Sequence, residues 1–330
     1  MAKRCSRCVL PEVNDYVKLD NNCICEKCNN TKFDKPSKKK KLEGYEELRR
    51  TIDNLKAGNE NKYDCIVAVS GGKDSLMTLY YAKKKLGLNP LAVFIDNGFS
   101  LKEMYLNINN AVDILDVDLI IYKTQELKNI ARYLLLSKKP IYYCRICHAL
   151  IDLYCREIAT KYNIPLILGG FSKGQQYMKN TELKWIFDIS DKHVKKELSK
   201  APAFKERIEV LINQGMYFYE NFPNVYYCNP LQYVDYDIEN NLDFLIKEFN
   251  FRKPKMSWPK GSTNCKLNFV SQYIIRENFG YGQHESELST LVREDVLSRE
   301  KALEIIETPI SKEDIESALS LMDIEYDEVF

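Results

Sequence analysis

The chain has 330 residues, 45% of them hydrophobic, with 48 basic side chains against 47 acidic ones and a net charge of +1. That is ample apolar material for one large α/β domain with smaller additions, and too balanced a charge for the strong field that tight nucleic-acid binding favours. No apolar run approaches the roughly 18 residues of a membrane helix, and the opening Met1 to Cys5 is no signal peptide, so a cytoplasmic protein is expected.

Taken in chain order, the first element is a pair of knuckles, Cys5-x-x-Cys8 and Cys25-x-x-Cys28, separated by a short segment with the turn Asp20-Asn-Asn22. Eleven cysteines in a reducing compartment point to metal or thiol chemistry rather than to disulfides. Four thiolates at this spacing suit a tetrahedral Zn2+ site, and a module of residues 1–33 with little core of its own needs such a staple. Cys23 is a spare that could replace Cys25 only with poorer spacing; free surface thiols are the plain alternative. Residues 34–62 read as a linker, with Pro36, Ser37 and the run Lys38 to Lys41, followed by a helix from Gly44 to Leu55.

From 63 to 235 short apolar strands alternate with helices: strands at 63–69, 90–96, 117–122, 165–168 and 225–228, and helices at 75–86, 101–115, 125–136 and up to about 162. This pattern predicts a doubly wound parallel sheet, whose ligands sit at the carboxyl ends of the strands. Residues 173–222 read as a polar, helical insertion over the site. The remainder, 236–330, reads as a helical C-terminal domain, with Ser298 as a cap lacking the usual Glu or Gln partner three residues on.

The stretch Asp64-Cys-Ile-Val-Ala-Val-Ser-Gly-Gly-Lys-Asp-Ser75 carries most of the chemistry. A buried strand runs into a turn, and a helix follows at once. Gly71 and Gly72 let the backbone bend and approach a ligand, while the N–H groups at the helix start, Lys73, Ser70 and Ser75 offer donors to one anion. Charge-assisted hydrogen bonds of this kind contribute roughly 1.5 to 3 kcal/mol each, so a few of them hold a pyrophosphate. The loop is not G-x-x-x-x-G-K-S/T, which sets it apart from P-loop kinases and GTPases.

Ser70-Gly-Gly-Lys-Asp-Ser75 resembles the PP-loop of the N-type ATP pyrophosphatases, α/β enzymes that split ATP between its α and β phosphates. The resemblance implies that Ser70 to Ser75, with Lys73 and Asp74 as catalytic candidates, hold the departing pyrophosphate of Mg2+-ATP while AMP passes to a substrate oxygen. Asp96, closing the second strand, is placed to meet the ribose or adenine. Gly169-Gly170, after the fourth strand, permits close approach to nucleotide or substrate. For both, an ordinary loop or turn is the plain alternative.

A second cysteine group, Cys144-x-x-Cys147 and Cys228, lies at predicted strand ends. Three thiolates there would leave an open coordination position on a metal or cluster. The arrangement resembles the PP-loop tRNA 2-thiolation enzymes, in which such cysteines hold a 4Fe–4S cluster, and a sulfur donor would be the partner. Buried core cysteines or a local zinc clip are the alternatives; Cys265 is open as a fourth ligand, a persulfide carrier or a core residue.

A further resemblance covers more of the length. Cys5-Ser-Arg-Cys-Val-Leu-Pro11, the PP-loop, Cys147-His148, His284-x-Ser286, Arg293 and Ser298-Arg-Glu-x-Ala302-Leu303 are similar to the N-acetyl sugar amidotransferases of bacterial surface-glycan pathways. These convert an acetamido group to an acetamidino group with ammonia from a glutaminase partner. Both resemblances imply adenylation of an amide-like carbonyl oxygen and then displacement of AMP; they differ in the nucleophile. The cysteine trio turns the expectation toward sulfur insertion into a small or carrier-bound amide, with the amidotransferase as alternative and a nucleotide sensor without turnover behind both. His148 and His284 read as hydrogen-bonding residues before general bases, nucleic acid is not favoured as a partner, and a homodimer is compatible with the class.

Overall fold

The computed structural model describes residues 3–13, 16–30, 38–57, 61–172, 182–234, 237–258 and 265–330. The first stretch of the expected linker, to residue 37, and residues 173–181 of the expected insertion lie outside them. In chain order the helices are α1 (Glu26–Asn30) and α2 (Lys38–Ala57) before the sheet, then α3 (Lys73–Tyr80), α4 (Lys102–Leu115), α5 (Glu126–Leu135), α6 (Tyr143–Lys161), α7 (Lys184–Leu198), α8 (Ile208–Ile212) and α9 (Gln214–Asn221). The strands are β1 (Cys65–Ala68), β2 (Pro90–Asp96), β3 (Leu119–Lys123), β4 (Leu166–Leu168) and β5 (Tyr226–Cys228). The C-terminal helices are α10 (Ile238–Phe249), α11 (Leu267–Phe279), α12 (Gln283–Arg293), α13 (Arg299–Glu307), α14 (Lys312–Leu319) and α15 (Tyr326–Val329).

The five strands form one sheet in the order β3-β2-β1-β4-β5, with every neighbouring pair parallel. All seven residues of β2 are buried, as expected for a strand covered on both faces. Alternate residues feed two cores. Ile66, Val93, Ile95 and Ile167 point toward α5, α6 and α11. Val67, Ala92, Phe94, Leu166 and Leu168 point the other way, toward α2, α3, α4 and α10. The chain steps from β1 outward to β2 and β3, then crosses back to β4 and β5. The order therefore reverses between β1 and β4, and a crevice opens beyond their carboxyl ends.

A third core joins the chain's two distant regions. Cys5, Cys8, Val9, Leu10, Val17, Cys25 and Cys28 pack with Tyr142, with Ile186 and Phe187 of α7, and with residues of α11, α12 and α13 such as Ile275, Leu288 and Ile306. The cysteine knuckles thus share a core with the C-terminal helices.

Two boundaries differ from expectation. α2 begins at Lys38, inside the lysine run expected to be linker; lysine is a good helix former, and a run of it carries a helix onward as readily as it makes a tail. α3 continues into a π-helical turn, Tyr81–Lys85, that the apolar spacing does not announce. Ser298 caps α13, its Oγ accepting from Lys301 N at 3.2 Å, without the reciprocal half of a capping box. No helix of the described residues is long and apolar enough to cross a membrane.

Candidate active site and cysteine centre

The glycine turn after β1 is closed by its own side chains. Ser75 Oγ accepts from Ser70 N at 3.1 Å and donates to Gly72 O at 3.0 Å, drawing the ends of the loop together at the start of α3. Gly71 has φ +76°, and a Cβ there would lie 2.3 Å from Met104 O in the first turn of α4, so the position admits glycine alone. Gly72 is the extended residue from which α3 starts, which turns that helix's first N–H groups toward the crevice. Lys73 Nζ lies 2.8 Å from Asp74 Oδ1 and 2.9 Å from Oδ2, both side chains mostly buried at the loop.

Gly169 and Gly170 follow β4 across the switch point. A Cβ on Gly170 would stand 3.0 Å from Ser75 Cα, and one on Gly169 would stand 2.0 Å from the Tyr227 hydroxyl and 2.4 Å from Asn229 Oδ1. The pair is thus small because the loop's backbone and the β5 end press against it. Asp96, at the end of β2, is held by the Tyr105 hydroxyl donating to its Oδ1 at 2.8 Å and by Gly98 N at 3.1 Å. Burial and the neighbouring Asp96 push the Tyr105 phenol upward, so it stays a donor.

Asn107 gave no signal in the sequence beyond a polar residue inside an amphipathic helix. It is fully buried, donates Nδ2 to Gly71 O at 3.1 Å and to Arg252 O at 3.0 Å, and accepts from Arg252 N at 2.8 Å. It thereby buckles the PP-loop to the segment after α10. Asn107→Leu leaves one buried and two part-buried backbone groups without this partner; we expect a loss of roughly 1 to 3 kcal/mol in urea unfolding, together with weaker ATP binding in calorimetry. An unchanged melt would remove that role.

The second cysteine group is arranged differently from the expectation. Cys228 pairs in register with Leu168 and faces the core of Leu166 and Leu231, whereas α6, carrying Cys144 and Cys147, covers the opposite side of the sheet. Strand alternation is the reason: Tyr227, not Cys228, points toward α6. Among the described residues, Cys5, Cys8, Cys25 and Cys28 form the only group of three or more Cys, His, Asp or Glu whose ligand atoms lie within 4.8 Å of one another. The thiol neighbouring Cys144 and Cys147 is instead Cys265. It bridges Ser100, and Lys266 N donates to Phe99 O at 2.9 Å, just beyond Asp96. Asn97 Nδ2 donates to Cys147 Sγ at 3.3 Å, so this thiol stands next to the nucleotide edge.

Cys144, Cys147 and Cys265 each keep some exposed surface, whereas Cys65, Cys155 and Cys228 are buried. Burial pushes Cys144 up to about 11. Cys265 is pushed up to about 12 by burial and then by Cys144, and Cys147 well above the ordinary thiol range by burial and then by Cys265 and Cys144. All three are thiols at neutral pH in the apo protein. His148, on the same turn of α6, stands with its ring 5.2 Å from Phe171, and burial pushes it down to about 4, so it is a neutral imidazole. His284 is 3.5 Å from Glu287 and edge-on to Trp258.

The N-terminal centre fits a tetrahedral dication. Its four thiols are all buried, and Cys8 Sγ and Cys25 Sγ are 3.7 Å apart, against edges of about 3.8 Å for a tetrahedron of ~2.3 Å Zn–S bonds. Backbone N–H groups of Cys8 and Cys25 donate to Cys5 Sγ at 3.5 and 3.3 Å, an arrangement that favours thiolates. Hydrogen bonding, first from Cys25, pulls Cys8 down to about 7 and Cys5 lower, while Cys25 and Cys28 are raised, Cys28 first by its bond with Cys25.

Residues 64–185, which span β1 to β4 and the loop, match the phosphoadenosine phosphosulfate reductase domain family, and residues 263–329 match the LPS biosynthesis protein WbpG-like C-terminal domain. The domain family matched by residues 64–185 belongs to the PP-loop ATP pyrophosphatase superfamily, in keeping with the loop at Ser70–Ser75. An uncharacterized protein of Methanocaldococcus jannaschii is 26% identical over 307 residues, covering 93% of this chain and 94% of that one. Among solved structures, the U34-tRNA thiolase NcsA from Methanococcus maripaludis with its 4Fe–4S cluster aligns at TM-score 0.39 and 13% identity, over 100% of this chain and 96% of its own. NMN synthetase from Francisella tularensis aligns at TM-score 0.38 and 12% identity, over 82% and 98% of the two chains. The NH3-dependent NAD synthetase from Campylobacter jejuni aligns at 0.32 and 11%, over 56% and 99%.

Proposed function

We propose that this protein is an ATP-dependent amidotransferase acting on an acetamido sugar. The carbonyl oxygen of the acetamido group attacks the α-phosphorus of Mg2+-ATP, and the bond to the β-phosphate oxygen breaks. Pyrophosphate departs against the N–H groups at the start of α3, Lys73 and the Ser70–Ser75 loop, which are worth most where charge develops in a crevice shielded from water. An amide oxygen has no tolerable leaving form; as an adenylate it leaves as AMP. Ammonia then adds to the activated carbon, AMP is expelled, and the product is an acetamidine. His148, beside Phe171, is a neutral neighbour of this side of the crevice and not its base, because the burial that pushes it down to about 4 disfavours the imidazolium.

The observation that carries this reading is where the WbpG-like segment lies. Its first described residues, Cys265 and Lys266, are bonded to Ser100 and Phe99 shortly after Asp96, which supports a place for the segment similar to a glycan-biosynthesis protein beside the nucleotide crevice. Cys228 faces the opposite core from α6, which weakens the case for sulfur that rests on Cys144, Cys147 and Cys228 together. A second reading keeps sulfur: residues 64–185 match a phosphoadenosine phosphosulfate reductase domain, and Cys265 neighbours Cys144 and Cys147, the last of which accepts from Asn97. In either case the N-terminal centre takes Zn2+ as a structural ion.

The deciding experiment is mass spectrometry of nucleotide-linked N-acetylhexosamines incubated with enzyme, ATP and Mg2+ plus either ammonium or sulfide. Exchange of oxygen for an imino group, with AMP formed and turnover retained in Cys147→Ala and Cys265→Ala, is the expected result. Exchange of oxygen for sulfur, abolished in those variants, selects the second reading. Formation of ADP in place of AMP would overturn both.

A further inference from the structure

Two arginines of the C-terminal helices reach the cysteine centre from the far end of the sequence. Arg293 Nη1 donates to Cys8 Sγ at 3.8 Å, while its Nη2 donates to Glu182 Oε1 at 3.2 Å and to Thr290 Oγ1 at 2.9 Å. Arg299 Nε donates to Cys5 O at 3.2 Å and Cys8 O at 3.0 Å, and its Nη2 to Cys5 O at 3.0 Å. The Arg293 and Glu182 side chains are nearly buried, 11% and 8% exposed. A guanidinium removed from water in this way is retained only where it meets charge or acceptors that repay its desolvation.

Four thiolates around one dication carry a net double negative charge, and here that charge would sit inside the third core. Hydrogen bonds to ligand sulfur and to the carbonyls of a knuckle stabilise such a charge and set ligand orientation. Arg293 bonds the sulfur and Arg299 the carbonyls of the first knuckle, alongside Arg7, whose Nη1 donates to Cys28 O of the second at 3.4 Å. The placement of Arg293 and Arg299 also explains why α12 and α13 share a core with residues 5–28: the helices complete the charge balance of the knuckles.

We propose that Arg293 and Arg299 are outer-sphere residues of the N-terminal metal centre, and that Arg293 links metal occupancy to Glu182 at the entry to α7. The inference rests on that centre holding Zn2+, as proposed above. Loss of the ion leaves Arg293 and Glu182 a buried pair with half of its purpose gone, so the start of α7, which forms part of the same core, loosens with it. Arg293 is in this sense a positioning residue: it acts on the thiolates and on α7, and touches no reacting atom.

The test uses the full chain with zinc bound, and a chromophoric chelator to follow its release. Wild-type protein holding one zinc per chain establishes the reading on which the inference depends; a metal-free wild type would sink that reading and the inference with it. With zinc present, Arg293→Met and Arg299→Met are each expected to weaken metal retention by about 10- to 100-fold, and Arg293→Lys to recover part of the loss. Arg132→Met, which breaks another arginine-to-carbonyl bond, to Met322 O, but does not touch the centre, is expected to retain zinc like wild type. In the Co2+-substituted protein, Arg293→Met should move the thiolate-to-cobalt charge-transfer absorption to lower energy, since a sulfur without its N–H donor gives up charge more readily; a general loss of stability would not. Unchanged retention and an unchanged band in Arg293→Met, with native far-ultraviolet dichroism, would overturn the proposal.

Discussion

Replacing Gly71 by alanine is expected to abolish pyrophosphate release and to destabilise the protein by roughly 2 to 5 kcal/mol. Two costs coincide at this residue. Its φ of +76° strains any residue with a side chain, and the new methyl group would sit 2.3 Å from Met104 O and 2.6 Å from Met104 Cα, which are backbone atoms with nowhere to turn. Relief requires α4 to move off the loop, carrying with it Asn107, the partner of Gly71 O. A displacement of the loop by about 1 Å is enough to cost a hundredfold in rate where catalysis depends on positioning. Gly87→Ala is the control: φ is +64°, but nothing lies within 4 Å of the added atom, so a mild loss of stability with normal activity is expected. Pyrophosphate release and urea melts of the two variants check the pair. Equal behaviour would show that the loop tolerates what its geometry excludes.

Loss of the N-terminal metal centre is expected to have the largest effect on the fold. Structural zinc sites contribute on the order of 10–16 kcal/mol in small peptides, comparable to the whole stability of a domain, about 5–15 kcal/mol. Cys25→Ser, or exposure of wild-type protein to a strong chelator, should release the ion and split thermal unfolding into two steps. The early step is the third core, in which the knuckles pack with Ile186, Ile275, Leu288 and Ile306. The parallel sheet, whose two cores share none of these residues, should melt later. Calorimetry with and without chelator, and the order in which proteolytic cuts appear in α12–α13 and in the sheet helices, give the readout. A single transition at the same temperature in both states would refute a structural role for the centre.

What the sequence discloses and what it conceals divide along contact distance. The PP-loop, the strands and the helices between them are local patterns, and they stand in the structure within a few residues of their predicted places, as α4 does at Lys102–Leu115 against 101–115. The parallel sheet follows from the alternation of such units. Cys228 shows the limit: its place at a strand's carboxyl end was legible, but which face of the sheet it takes depends on the pairing of β5 with Leu168, and a shift of one residue sends it to the opposite core. Cys265, left undecided, reaches Cys144 and Cys147 only because residues after α10 fold back over the Asp96 loop. Asn107 was invisible for a related reason, since a buried asparagine declares its partners only once the backbone of another segment arrives beside it. The packing of the knuckles against α12 and α13 spans nearly the whole chain, and no local pattern encodes it.

That span has a consequence during synthesis. Cys8 leaves the ribosome 285 residues ahead of Arg293, an interval of roughly 15 to 60 seconds at ordinary elongation rates of about 5–20 residues per second. Throughout it the knuckle thiols exist without the guanidinium groups that later enclose them. Early capture of the ion would protect these sulfurs from oxidation and give α12 and α13, as they emerge, a finished surface on which to close.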